Sequence, residues 1–284
     1  MSAPAVAQRP PPASVSAAVT NVFDTDMESG GTVGLSAVTL TGGGNWPVSQ
    51  TTTLGIQARV DIDNWKFDKP AAFGGQTPWQ GTNRFSLAVP VGFSLGDGWN
   101  MSLSPSVELT GEEGADASES LGYGLTALAI KAFARDKLLG VGVGVFSNIE
   151  KTTAFPFLII DWKIAEDWRV SNPLQVGPSG PAGLMLSYQI APQWEIGAGA
   201  AYRTYRFRLA EDNPIAKNGV GEASYIPVFA QATYRGQTGW RFDLYGGAMT
   251  SGSLKVMDSQ GENDIAEDDV KTAPTVAVAF SARF

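Results

Sequence analysis

Along most of this chain, apolar side chains recur at every second residue. From Met101 to Leu109, the residues Met101, Leu103, Pro105, Val107 and Leu109 are interleaved with Ser102, Ser104, Ser106 and Glu108. Phe85, Leu87, Val89, Val91, Phe93 and Leu95 alternate likewise with Ser86, Ala88, Pro90, Gly92 and Ser94, and Gly96-Asp97-Gly98 turns the chain between the two segments. Leu54 to Ile62, Leu139 to Val145, Trp194 to Tyr202, Ile226 to Tyr234 and Trp240 to Ala248 repeat the design. A period of two sends successive side chains to opposite faces of a strand, so each segment predicts a strand with one apolar face and one polar or tiny face. Leu121 to Phe133 has no clean register, and its faces stay unassigned.

Composition narrows what such strands can build. The 284 residues are 43% hydrophobic and only 17% charged, below the roughly 25% charged of an average soluble domain. No stretch of 18 apolar residues occurs, so a membrane-spanning helix is excluded. Spanning β-strands remain, because they need only about 9–11 residues each and keep mean hydropathy near neutral. With no Cys and no His, disulfides, thiol nucleophiles, imidazole bases and His- or thiolate-held metals are ruled out. A net charge of −8 argues against nucleic acid as a partner, since phosphate binding needs a basic surface.

These features predict an all-β fold: a transmembrane, antiparallel, up-and-down β-barrel of about fourteen strands over residues 14–284, with twelve as the alternative count. In hydrocarbon every backbone polar group must be paired internally, which strands achieve only by closing into a barrel. A soluble β-sandwich also alternates. The number of strands sharing one apolar face, the Trp and Tyr residues at strand ends, and a final strand ending in Phe284 favour the barrel. Short links at Pro47 to Gln50, Gly96 to Gly98, Arg135 to Asp136, Ala165 to Asp167, Ala191 to Pro192 and Gly236 to Thr238 alternate with longer polar links. Among the longer ones are Asp68 to Gly81, Gly111 to Ser118, Asn172 to Gly180, Ala210 to Gly219 and Asp258 to Asp269. Short turns belong on the periplasmic side and long loops outside. Residues 1–13 read as a periplasmic tail or signal-peptide remnant, with Ala5-Val6-Ala7 as a cleavage-like pattern and Arg9-Pro10-Pro11-Pro12 as an extended stretch.

On these registers Arg59, Asp61, Glu108, Gln189, Glu195, Arg203, Gln231, Arg235, Arg241 and Asp243 line the lumen. Their mixed signs point to weak ion selectivity or to ion pairs bracing the wall. The many inward Gly, Ala and Ser residues argue for open space between the walls. Arg203, Arg206 and Arg208 fall near the outer rim, where they either meet anionic groups or pair with Glu211 and Asp212 on a solvated rim. The acidic run Asp258 to Asp269 does not match a calcium-loop pattern and reads as a solvated external loop. No metal site, cofactor or catalytic residue is expected.

Val276 to Phe284 alternates up to its terminal aromatic and resembles the C-terminal signature by which outer-membrane barrels are recognised for assembly. The resemblance implies Phe280 and Phe284 in the recognised positions and the barrel-assembly machinery as a partner during biogenesis. Phe155-Pro156-Phe157-Leu158, Asp161-Trp162, Asn172-Pro173, Leu186-Ser187-Tyr188 and Tyr202 to Phe207 resemble a bacterial family of outer-membrane β-barrels of unknown function, best over the last 130 or so residues. This implies fold and location only: the outer membrane of a Gram-negative bacterium, among its lipid and lipopolysaccharide. The expected role is a monomeric, non-enzymatic, porin-like passive channel for small hydrophilic solutes. The alternatives are a non-conducting structural or interaction barrel, and a transporter of lipids or hydrophobic solutes, which would need an apolar path through the lumen.

Overall fold

The computed structural model describes residues 13–134, 136–172 and 182–284. The Ala5-Val6-Ala7 pattern, the tail from Arg9 to Pro12, Arg135 of one short turn and most of the Asn172 to Gly180 link lie outside these residues.

The strands are β1 (Ala13–Asp26), β2 (Thr32–Pro47), β3 (Thr52–Asp68), β4 (Gly81–Ala88), β5 (Val91–Gly96), β6 (Trp99–Glu112), β7 (Leu121–Ala134), β8 (Lys137–Asn148) and β9 (Lys151–Lys163). They continue as β10 (Trp168–Ser171), β11 (Gly183–Ala191), β12 (Trp194–Ala201), β13 (Arg203–Arg208), β14 (Val220–Arg235), β15 (Trp240–Met257), β16 (Asp264–Val270) and β17 (Ala273–Arg283). One short 3-10 turn, Ala71–Phe73, follows β3. β4 and β5 both pair with β6, β12 and β13 both with β14, and β16 and β17 both with β15. Each of these pairs is one strand interrupted by a bend, so the molecule is a closed antiparallel barrel of fourteen strands. Closure is made by β1 on β17, in register from Ser14↔Arg283 to Val22↔Thr275.

The outer face carries the exposed apolar row, including Val19, Leu40, Ile56, Met101, Val143 and Leu244. Below this band the exposed aromatics Trp46, Trp99, Trp168 and Trp194 stand beside the short turns, as an aromatic girdle does at a lipid interface. Ala13 and Phe284 exchange backbone hydrogen bonds at this same end. The turn at Gly96-Asp97-Gly98 has positive φ at all three residues, and a Cβ on Gly98 would come within 2.3 Å of the Ala132 carbonyl oxygen. Glycine there is a steric requirement.

Pairing settles what periodicity left open. Leu121, Tyr123, Leu125, Ala127 and Ala129 lie opposite outward residues of β6, so the even-numbered residues of β7 face inward, Leu128 and Ile130 among them. Apolar side chains on both faces are what obscured that register. The segment Phe85 to Leu95 is divided at Val89-Pro90, where proline withholds a ladder donor. The acidic run Asp258 to Asp269 is not one loop, because β16 begins at Asp264 and pairs with β15. Its Asp268 is buried and accepts the Ser29 N–H at 3.1 Å.

The rim slopes. β3, β14 and β15 run 17, 16 and 18 residues, whereas β10 and β11 run 4 and 9. On the tall side the outward positions above the apolar band turn charged, with Lys66 bonded to Asp24 and Lys255 to Glu267. The reading of inward Gly, Ala and Ser as open space holds for only part of the wall. Ala18, Met185, Phe229, Tyr245, Ala277 and Ala279 form a buried inward cluster, while most inward positions of β6, β8 and β9, though not Thr110 or Gly144, stay partly accessible.

Val143 faces outward midway along β8, and Gly142 faces inward. Val143→Arg is expected to destabilise the barrel refolded in phospholipid vesicles by about 2–4 kcal/mol in a urea titration. Gly142→Ser must swing the Phe157 ring off the wall, since its outer atoms lie 2.3–2.9 Å from the added Cβ, and should cost less because the new side chain stays on the lumen side. Equal losses for the two variants would contradict the assigned faces.

Candidate functional site

At the end of the barrel that carries the long loops, the described loops and β13 meet over the lumen. β13 stays paired with β14 from Arg203↔Tyr225 to Arg208↔Val220 but bends over the lumen, so that Arg208 also pairs in parallel with Gly111 of β6, a strand on the far side of the barrel. Its crossing brings Phe207 and Leu209 against Trp79 and Phe73 of the β3–β4 connection, Met27 of the β1–β2 turn, and Leu254 and Val256 of β15, all buried. Trp79 is fully buried, with Phe207 edge-on at 5.1 Å and Trp65 and Phe67 at 5.8 and 5.6 Å. Edge-to-face rings at these separations add attraction beyond that of area burial.

Three side chains tie the loops over this apolar centre. The Glu112 carboxylate accepts the N–H of Gln80 at 3.3 Å, the N–H of Ala210 at 2.9 Å and the Asn213 amide at 3.0 Å, and the same amide donates to the Pro78 carbonyl at 2.7 Å. Arg208, with its side chain 1% exposed, donates to the carbonyls of Glu119, Asn218 and Ser259 and to the Glu150 carboxylate at 2.8 Å. Arg206 donates to the carbonyls of Ile149 and Gly261 and to Glu222 at 3.0 Å. Hydrogen bonds to a buried charge contribute about 1.5–3 kcal/mol each; those to Glu119, Glu150, Ser259, Ile149 and Gly261 join segments far apart in sequence, while those to Asn218 and Glu222 stay within the β13–β14 hairpin. Arg206 and Arg208 therefore do not sit on a solvated rim beside Glu211 and Asp212. They are the cross-links of a cap, and their partners come from the connections β6–β7, β8–β9, β13–β14 and β15–β16 and from β14.

Beneath the cap the expected lumen residues fall on the face opposite the exposed apolar row, in two groups. Near the cap, Arg59 holds Asp61 by two bonds of 2.7 and 2.8 Å, and Asp61 also accepts the Thr39 hydroxyl at 2.6 Å. Glu108 accepts the Thr110 hydroxyl at 3.0 Å and lies 3.4 Å from Arg84, which stands one residue before the alternating run that begins at Phe85. The Arg84 guanidinium lies 4.6 Å over the Tyr205 ring and Arg203 lies 5.0 Å from it, so β4 and β13 are bridged across the lumen. Near the short turns, Asp243 accepts from Gln231, Thr233 and Arg241 at 2.6–2.7 Å. Arg235 there holds Glu195 with both oxygens at 2.9–3.0 Å. Gln189 joins neither group and donates to the carbonyls of Ala191 and Trp194 at the strand end. These contacts pair opposite charges along the wall. Phe280 packs outward on Trp240, and Phe284 is exposed at the rim.

A third surface was not anticipated from the sequence. The inward faces of β7, β8 and β9 present Leu128, Ile130, Leu138, Phe146, Phe155, Phe157 and Ile159. Gly124, Gly142 and Gly144 let the rings lie flat, with Phe157 across Gly142 and Phe146 across Gly124 and Gly144. Phe146 and Phe155 stack at 5.6 Å, and Phe155 remains 45% exposed although it points into the barrel. No group of acidic side chains suited to a metal ion occurs among the described residues.

No family model and no curated protein matches the chain. Among solved structures it is similar to a KdgM porin in complex with disordered oligogalacturonate, at 9% identity and a TM-score of 0.37, covering 95% of this chain and 99% of that one. It is also similar to the Pseudomonas putida toluene transporter TodX, at 11% identity and a TM-score of 0.42, covering 98% and 90%. The β domain of the Bordetella autotransporter Brka stands at 6% identity and a TM-score of 0.40, covering 95% and 98%. Likeness this distant bears on neither solute nor activity.

Trp79→Ala is expected to cost about 3–5 kcal/mol of cap stability and to raise protease cleavage within 69–80 and 209–219 at least tenfold. Unchanged cleavage would show that the loops do not act as one unit. A second expectation concerns pH. The hydroxyl and N–H of Ser118 and the N–H of Glu119 hold the Asp116 carboxyl below its usual value, and the Asn263 amide and the N–H of Glu262 do the same for Asp258. A depressed folded-state pKa stabilises above the unfolded value of about 3.9 and is lost as pH falls through the folded value. Both carboxylates shape turns whose carbonyls serve Arg208. Proteolysis of the cap should therefore stay slow down to about pH 4 and rise only below it, and a rise centred near pH 6 would contradict this.

Proposed function

We propose that this chain is an outer-membrane, porin-like channel of a Gram-negative bacterium, monomeric and non-enzymatic, whose external mouth is shut by the cap in its resting state. The membrane assignment rests on the closed sheet, which leaves an apolar band facing outward on every spanning strand. Burying such a band in lipid gains roughly 25 cal/mol per Å², and among the described residues no other part of the chain covers it. Long loops outward and short turns with both strand termini inward give the orientation. In this reading Phe280 and Phe284 are the positions read by the assembly machinery, lipid and lipopolysaccharide surround the wall, and no cofactor is required.

The observation that carries the channel reading is the division of the lumen. Most inward positions on β6, β8 and β9 stay accessible to solvent, while the obstruction among the described residues at the external end is β13, crossing to β6, with the loops joined to it by side-chain contacts. Ion pairs that satisfy each other along the wall make the expected pore weakly selective. The cap equally favours one rival, a permanently closed structural or interaction barrel. Planar-bilayer recording separates the two. The wild-type protein should be nearly silent, and Arg208→Ala together with Glu112→Ala should give stable ohmic steps. Silence of the correctly folded double variant would leave the structural barrel.

A further inference from the structure

We infer that the inward face of β7–β9 is a binding site for an uncharged lipophilic small molecule of the alkyl or alkylbenzene class. The inference rests on the barrel reading above and deepens it by naming a ligand class. Three observations carry it. The surface is continuous: Leu128, Phe146, Phe155 and Phe157 adjoin across the three paired strands, and the glycines between them keep the rings flat against the wall. It is accessible, with Phe155 45% exposed on the inward face, whereas the facing wall of β11, β14, β15 and β17 is closed by its own buried cluster. Apolar surface left wet inside a barrel is recovered by a ligand that displaces that water.

Enclosure and charge select the occupant. A surface inside a fourteen-stranded barrel capped at one end admits a small molecule and excludes a folded partner or a bilayer. Toward the short turns the stripe ends at Asp161, which is already neutralised by two hydrogen bonds from Arg169. Charges on this face lie only at the two ends of β9, Lys151 at one and Asp161 with Lys163 at the other, and between them the strip of β7, β8 and β9 carries no charged side chain, so the part of the ligand it holds carries no charge. On the other flank stands the ladder of Ser102, Ser104 and Ser106 on β6, which marks where the apolar strip ends.

The test is photolabelling of the full chain in phosphatidylcholine vesicles with an uncharged alkylphenyl diazirine, with labelled residues mapped by mass spectrometry. Label is expected on Leu128, Phe155 and Phe157, falling at least tenfold with excess unlabelled octylbenzene. Label on outward Val141 and Val143 should persist under competition. Phe155→Ser with Phe157→Ser should abolish the competed label while the heat-dependent electrophoretic shift of a folded barrel is retained. Label confined to outward positions, or inward label insensitive to competitor, overturns the inference, and the wild-type competition decides the matter even if the double variant does not fold. The channel reading fails separately: conducting cap variants with no competed inward label sink this site alone, and competed label in a barrel that never conducts sustains the site without the pore.

Discussion

Every feature of this molecule depends on the hydrogen bonds between β1 and β17. Nine consecutive residue pairs, from Ser14↔Arg283 to Val22↔Thr275, join the first strand to the last and leave the sheet without an edge there. An open sheet of this size would expose two rows of unpaired backbone groups, which neither water-free surroundings nor a crowded cell tolerates. Once the sheet is closed, period-two alternation becomes a division of space: one set of side chains can only point out and the other only in. The low charged fraction, the glycine content and the near-neutral hydropathy follow from that division.

Closure alone would produce a tube, and the cap converts the tube into a compartment. Its stability combines an aromatic centre around Trp79 with two arginines and a glutamate whose partners lie on separate loops and on β14. Arg208 is informative because a fully buried guanidinium is tolerated only when its donors are used, and four of its bonds reach four different segments. Loosening any one loop weakens the support of the others, so the loops are expected to open together. Below the cap, paired charges near β3, β4 and β13 contrast with the apolar inward stripe of β7–β9, so the lumen has a polar side and a greasy side.

The strands were legible because their alternation is local. Met101 to Leu109 and Leu139 to Val145 announce their faces without reference to any other residue, and the even strand count follows from turn placement. The cap was not legible, because the contacts that close it join residues far apart in sequence. Phe207 meets Trp79, Asn213 meets Pro78, and Arg208 meets Glu150, and nothing local separates such residues from those of a solvated loop. The stripe was hidden for a different reason. In β7 the inward Leu128 and Ile130 break the two-residue pattern, and the absence of a register was itself the signal that both faces are apolar.

A nitroxide scan along β8 in phospholipid vesicles tests the central division of space most directly, comparing collision with dissolved oxygen against collision with a water-soluble nickel chelate at each position from Leu138 to Asn148. Closed-sheet alternation predicts oxygen maxima at Leu139, Val141, Val143 and Val145 and nickel maxima at Gly140, Gly142 and Phe146, the two profiles running out of phase with a period of two. Profiles in phase, or without that period, would contradict a strand with lipid on one side and a water-accessible lumen on the other.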